Sequence, residues 1–504
     1  MNRRDFLKTF AASLAMGTVS GISNVVAGES WKKEFSIALK EKPWLLGYEG
    51  ISGHDFGVTA LTQKGQLPDD LRGVLYRNGP AQHVVGDMRY HHWFDGDGLV
   101  NAFRFSEDGV THQGRFVRTA KFQSEAKAGH AIEQGFGTAL LSLRSPSNND
   151  ALNVANINVI THAGELLALW EGGSAYRLDP DTLETLGLKT WSADTKGLPF
   201  SAHPRKDANG TLWNFGYATS FGALIVYQIA ADGTLKNVDL IKLPYSSMVH
   251  DFMITEKYLV FILPPFHYDT SRQGSFLDHF EWYPERGGVA LVIDKNDSSK
   301  VQEIEIPAFW VFHFANAYDE PDGSIAFSCP IYRTPNIMTQ GFRNVMRGRE
   351  ISSLGSRFMS ARLHPGKRSF TYEEVPEAAA SEFPRIDDRR QGVRARFSFL
   401  MKSSGELSHA GFDRICRLDQ KAGALTFYQF GAQEQAEEHV FVANPRSDQE
   451  GQGWLVGTSL DYNRQRTSLN VFDAEKPENG PIARFEAAFP LPFGLHGNFV
   501  PTGS

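Results

Sequence analysis

Short apolar runs, each closed by turn chemistry, recur along the whole of this 504-residue chain, and that recurrence limits its fold most. Leu166-Leu167-Ala168-Leu169-Trp170, Leu259-Val260-Phe261-Ile262-Leu263 and Val289-Ala290-Leu291-Val292-Ile293-Asp294 are examples. Their boundaries read Ala163-Gly164, Asp207-Ala208-Asn209-Gly210, Ala231-Asp232-Gly233 and Pro321-Asp322-Gly323. Runs of that length between turn signals are strands. Long helices do not alternate with them, so a βαβ architecture is disfavoured and an all-β one expected. One sandwich is too small for this length, and blades repeated around an axis are the economical solution. No clean repeat fixes the blade number. The best helical insertions are Asp269 to Phe280 and Thr339 to Met359. No Gly/Ser or Pro-rich linker divides the chain, so residues 28–504 read as one domain.

Charge and cysteine usage narrow the function. Lysine and arginine total 51 and aspartate and glutamate 58, a net charge of −7. Phosphate backbones need a basic footprint, so nucleic acid is not an expected partner. Two cysteines, Cys329 and Cys416, cannot build a tetrathiolate zinc site, an iron–sulfur cluster or a disulfide framework. Sixteen histidines remain as metal ligands.

Residues 1–27 read as an address. Arg3-Arg4, a spacer and Phe6-Leu7-Lys8 form a twin-arginine export signal, followed by a short apolar run and a small-residue cleavage site, Val25-Val26-Ala27. The apolar run is too short to span a bilayer, which takes about 20 residues. The expected location is the periplasm, reached through the twin-arginine machinery, with the protein soluble or associated with a membrane surface. That route carries folded proteins, which suits a metalloprotein loaded before export.

Four histidines sit in distinctive surroundings: Ser201-Ala202-His203-Pro204-Arg205, Met248-Val249-His250-Asp251-Phe252, Phe312-His313-Phe314-Ala315-Asn316 and Phe493-Gly494-Leu495-His496-Gly497-Asn498-Phe499. The intervals of 47, 63 and 183 residues match no local metal motif. They suit one residue per blade, or per several blades, on a propeller axis. Taken singly, each histidine fits a satisfied structural residue better than a ligand.

A resemblance changes that weighting. Leu71-Arg72-Gly73-Val74-Leu75-Tyr76-Arg77-Asn78-Gly79-Pro80, His92-Trp93-Phe94-Asp95-Gly96-Asp97-Gly98 and Leu166 to Gly173 come first. The four histidine contexts, Glu382-Phe383-Pro384-Arg385-Ile386-Asp387 and Glu438-His439-Val440-Phe441-Val442 complete the series. In this order they resemble the carotenoid cleavage oxygenase family, which includes apocarotenoid and lignostilbene dioxygenases and a retinoid isomerase. The resemblance implies a seven-bladed β-propeller with a helical and loop dome over an axial metal site. It also implies one Fe(II) per chain, held by His203, His250, His313 and His496. Imidazole suits iron, and four of them leave room for dioxygen. The family backs its ligands with three glutamates, and the matching positions are Glu171, Glu438 and Glu486. His439 stands where the family usually has proline.

The implied activity is cleavage of a conjugated double bond of a carotenoid or apocarotenoid by O2, giving two carbonyl products. A hydroxystilbene is the alternative substrate. The stilbene branch grips a phenol with a lysine and a tyrosine, for which Lys121 and Tyr90 stand nearest. Two other readings share the scaffold: a non-oxidative isomerase or hydrolase, and a non-catalytic ligand-binding propeller. Asp95-Gly96-Asp97-Gly98 lacks the further ligands of a calcium loop and reads as a tight turn, with His91 and His92 structural beside it. Asp251 reads as a hydrogen-bond acceptor. Phe312, Phe314, Phe493 and Phe499 would make a dry wall about the iron. The segment Phe261 to Phe280 is the place for an apolar membrane-facing patch.

Overall fold

In this computed structural model, residues 23–140, 148–351, 355–407 and 411–502 are described. Among them, seven antiparallel sheets of four or five strands form the blades of a β-propeller, accompanied by two small hairpins. The strand runs read from the sequence are central blade strands: Glu165–Leu169, Tyr258–Leu263 and Gly288–Asp294. Each blade packs between two others, so its inner strands lose any two-residue alternation. Leu212–Ala218 and Ile325–Ile331 are buried at every position. Outer strands such as Ser369–Glu374 turn mainly to solvent. Apolar clusters fill the gaps between blades, as where Val260, Ile262 and Val292 meet Ile325, Phe327 and Leu363. Area-proportional burial of this kind is the main force holding blades together.

Two pairings close the ring. The C-terminal strand His496–Pro501 joins the inner edge of the blade containing Gly73–Gln82, with His496 opposite Asn78. The early strand Thr62–Gly65 joins the outer edge of the blade containing Pro481–Glu486. The first pairing needs glycine at a close approach. A Cβ on Gly79 would lie 2.5 Å from the Gly494 Cα.

Helical segments gather around one cavity. Leu46–Glu49, Trp93–Asp95, Ile337–Gly341 and Phe342–Met346 each contribute to its wall. Arg89 ties them together: its buried guanidinium donates to the carbonyls of Tyr48 at 2.6 Å, Glu49 at 3.1 Å and Met346 at 2.9 Å. It also lies 3.5 Å over the ring of Phe35, from the helix Ser23–Glu41.

Three expectations need correction. Asp269 to Phe280 holds only one short turn, Phe276–His279, before a strand begins at Phe280. Thr339 to Met359 is helical to Met346, and a blade strand starts at Arg357. In the segment 261–280 the apolar side chains of Phe261, Phe266, Leu277 and Phe280 are buried in the core, Phe266 and Phe280 stacking on each other at 5.0 Å, and the exposed stretch 270–273 is polar. The helix Ala120–Ala128 was not anticipated; Thr119 caps it by accepting from the Phe122 N–H. The expected leader lies outside the described residues apart from positions 23–27. Among the described residues, no helix is long and apolar enough to cross a membrane.

Candidate metal centre

Four innermost strands deliver the four histidines. His203 precedes Arg205–Lys206, His250 precedes Met253–Ile254, His313 precedes Asn316–Asp319 and His496 opens the last strand. The start of an inner strand is the point nearest the axis at one end of the propeller, so residues distant in sequence meet there. The Nε2 atoms of His203 and His250 are 3.1 Å apart, those of His250 and His313 3.3 Å, and those of His313 and His496 3.0 Å. All four ligand nitrogens lie within 4.8 Å of one another.

Three carboxylates fix the orientation of these rings. His313 Nδ1 donates to Glu382 Oε2 at 2.6 Å, His496 Nδ1 to Glu438 Oε1 at 3.0 Å, and His250 Nδ1 lies against Glu171. A carboxylate only accepts, so the proton sits on Nδ1 and the Nε2 lone pair points to the centre. Among the described residues, no carboxylate stands behind His203. The acids are held in turn: Tyr217 donates to Glu171 at 3.0 Å, Tyr332 to Glu382 at 3.3 Å and Arg385 to Glu438 at 2.9 Å.

Burial favours the neutral, ligating form at His203 and His496. Burial pushes His203 far below its ordinary value, and the neighbouring imidazoles add to the effect. Burial also takes His496 down to about 3 against the opposing pull of Glu438. Burial would lower His250 as well, but Glu171 outweighs it and raises the ring. Burial would raise Glu438, but Arg385 and His496 outweigh it and hold the carboxyl well below the usual range. Lone pairs aimed at one point repel unless a cation lies between them. Metal–imidazole bonds of about 2.1 Å place adjacent nitrogens about 3.0 Å apart at right angles and about 3.4 Å apart in a tetrahedron. The observed separations fit a metal ion, and the four histidines form a metal site.

The site opens into an aromatic cavity walled by Trp93, Phe94, Phe312, Phe342, Phe412 and Phe493 among others. A second cavity reaches His203, His313 and His496 and is polar, with Arg205, Asp251 and Asp388 in its wall. Asp251 is an acceptor here: it pairs with Arg205 and takes the N–H groups of Phe252 at 2.7 Å and Phe314 at 3.0 Å. Those contacts lock the loops that carry His250 and His313.

Several expected residues lie elsewhere. Glu486 pairs with Arg464 at 2.7 Å and Arg466 at 3.2 Å on an outer strand, since the strand Pro481–Glu486 faces away from the axis. Glu382 is the third glutamate, and its Glu-Phe-Pro-Arg context was the signal that marked it. Lys121 and Tyr90 do meet, but in a closed cluster outside the cavity wall. Lys121 Nζ donates to Tyr90 at 2.6 Å and Glu125 at 2.8 Å and pairs with Asp97 at 3.3 Å. Tyr90 donates to Glu125 at 2.5 Å. All three N–H donors of Lys121 are taken up inside that cluster, which leaves the lysine nothing with which to hold a ligand. Asp95 accepts from Thr138 and Gly137 and stabilises a turn. His92 bonds to the Met338 carbonyl and the Phe94 N–H. His91 packs 4.2 Å from Trp31. Phe312 and Phe493 wall the aromatic cavity as expected, Phe314 lines the polar one while packing into a core cluster, and Phe499 packs on a core cluster between blades. Phe383, not anticipated, lies 5.3 Å from both His313 and His496.

A family model described as retinal pigment epithelial membrane protein matches residues 53–501. Apocarotenoid-15,15'-oxygenase of Synechocystis sp. is 30% identical over 482 residues, covering 91% of this chain and 96% of that protein. Lignostilbene-alpha,beta-dioxygenase isozyme III of Sphingomonas paucimobilis is 29% identical, covering 88% of this chain and 94% of that protein. The crystal structure of a cobalt-substituted Synechocystis apocarotenoid oxygenase superposes with a TM-score of 0.82 at 28% identity, covering 92% of this chain and 99% of that one.

Proposed function

The chain belongs to the carotenoid cleavage oxygenase family, and from that premise we propose that it uses ferrous iron and O2 to split a conjugated double bond of a carotenoid or apocarotenoid. It is an enzyme, a dioxygenase of the carotenoid-oxygenase type. The convergence of four Nε2 atoms at the end of an aromatic cavity carries the reading. Bound ferrous iron supplies the redox chemistry that lets ground-state O2 react with an alkene, which side chains alone do not provide. His203, His250, His313 and His496 would hold it as neutral donors. Glu171, Glu382 and Glu438 keep the Nδ1 protons and so the ring orientations. The aromatic wall grips a planar conjugated chain and excludes water. The balance is one alkene and one O2 to two carbonyl compounds, with both oxygen atoms in the products.

A polyene is favoured over a stilbene because Lys121 and Tyr90 are committed to their own cluster. The test is aerobic incubation of iron-loaded protein with an apocarotenal and a hydroxystilbene under labelled O2, read by mass spectrometry. Labelled aldehydes from the polyene support the reading, and labelled benzaldehydes alone move the enzyme to the stilbene branch. Isomerised or hydrolysed product without label sinks the oxidative mechanism. We further propose that residues 1–27 direct export through the twin-arginine machinery to the periplasm. Replacing Arg3 and Arg4 by lysine should leave the uncleaved protein in the cytoplasm; export unchanged by that replacement refutes it.

A further inference from the structure

We propose that Tyr48 and Glu437 form a seat in the cavity wall for a hydroxyl group, so that the preferred substrate is a conjugated molecule carrying an alcohol or phenol. The inference rests on the cleavage reading above and names the substrate's polar end. Both residues line the otherwise aromatic cavity. The Tyr48 ring is fixed edge-on to Trp93 at 5.2 Å and Phe493 at 5.1 Å, and its carbonyl is held by Arg89. Yet its hydroxyl makes no hydrogen bond with any described residue. Burial pushes the phenol far up, with the charge of Glu437 adding to it, so the group stays protonated and able to donate.

Glu437, in the same cavity wall, is tied to the Tyr48 segment through a shared piece of backbone. The Phe493 N–H donates to the Gly47 carbonyl at 2.9 Å, and the next N–H, of Gly494, donates to Glu437 Oε2 at 2.6 Å. Thr458 donates to Oε1 at 2.7 Å, and Arg77 to Oε2 at 3.2 Å. Three donors fix the carboxylate, but two oxygens offer about four acceptor positions. A carboxylate with spare acceptors and a hydroxyl with no partner are a poor wall for a hydrocarbon end, which would leave both unsatisfied. An aldehyde or ether can accept from Tyr48 but has nothing to give Glu437. A hydroxyl does both.

The test compares matched pairs, a 4-hydroxystilbene with its 4-methoxy analogue and a ring-hydroxylated apocarotenal with its unhydroxylated parent. Dissociation constants are read without oxygen, on the full iron-loaded chain, from quenching of tryptophan fluorescence, Trp93 being in the cavity wall. Binding then reports on the seat whether or not cleavage occurs, and the labelled-O2 assay reports separately on the reaction. The expected preference for the hydroxylated member is about tenfold. Tyr48→Phe loses no internal hydrogen bond, so it should fold, and it should bring the ratio within about twofold of one. Glu437→Gln keeps the shape, removes the charge and should reduce the ratio as well. Equal affinities in the wild type, or a preference that survives Tyr48→Phe, overturn the proposal.

Discussion

Glu382 accepts a hydrogen bond from His313 Nδ1 at 2.6 Å across a sequence separation of 69 residues. The acid comes from the innermost strand of one blade, and the ligand from the start of the innermost strand of the blade before it. The orientation of a metal ligand therefore depends on how two blades pack.

Glu382→Gln should weaken metal binding about 10- to 100-fold, because a carboxamide at that position gives His313 a poorer acceptor. Glu486→Gln, whose parent residue pairs with Arg464 and Arg466, should leave affinity unchanged. Competition for cobalt(II) against a chromophoric chelator measures both. Equal losses in the two variants would contradict the assignment.

Arg89→Leu should lower stability by about 3 kcal/mol, since three carbonyls lose their donor in a buried setting. Thermal unfolding measures the loss. Cavity-bound ligands should also dissociate faster, because the guanidinium joins Tyr48 and Met346. A melting temperature within a degree of the wild type would refute this clamp.

Lys121→Met should destabilise the protein by about 3–5 kcal/mol, as Asp97 and Glu125 would face each other without their cation. It should leave the polyene-to-stilbene affinity ratio unchanged. A selective loss of stilbene binding in a stable variant would restore Lys121 as a phenol grip.

Stability should fall as pH drops below about 6.5. Burial takes His91 and His112 down to about 4, and His92 and His439 down to about 3. Between those values and 6.5, the unfolded chain binds protons that the folded one does not, so acid favours unfolding, by up to about 1.4 kcal/mol per pH unit for each histidine. Asp95 and Asp97, raised by burial to about 6, act in the opposite direction below that pH. Four histidines against two aspartates leave a net loss. Denaturant midpoints from pH 7.5 to 5 measure it, and His92→Gln should flatten the slope. A flat profile in the wild type would contradict the account.

The four ligands were legible only through the ordered resemblance of their contexts to the family, because each histidine taken singly reads as a structural residue. The blade strands were legible because turn residues punctuate them. The acids were harder. Glu486 lies ten residues before His496, but near the outer edge of the preceding blade, whereas the acid that holds His496 is Glu438, 58 residues earlier on that blade's innermost strand. In a propeller the partners at the axis come from different blades, so closeness in sequence misleads. Lys121 and Tyr90 were singled out as a phenol grip; Glu125, one turn after Lys121, closes the cluster because Ala120–Ala128 is an unanticipated helix, and Asp97 joins it from a strand. Tyr48 and Glu437 carried no signal at all, because their meeting depends on the backbone at Phe493 and Gly494.

The central claim is that the four-histidine site performs oxidative cleavage. Iron content and labelled-oxygen incorporation, measured on the same preparations of wild type and His250→Ala, test it most directly. The account predicts one iron per chain and labelled carbonyl products in the wild type, with neither in the variant. Turnover that persists without His250, or products that carry no label from O2, would contradict it.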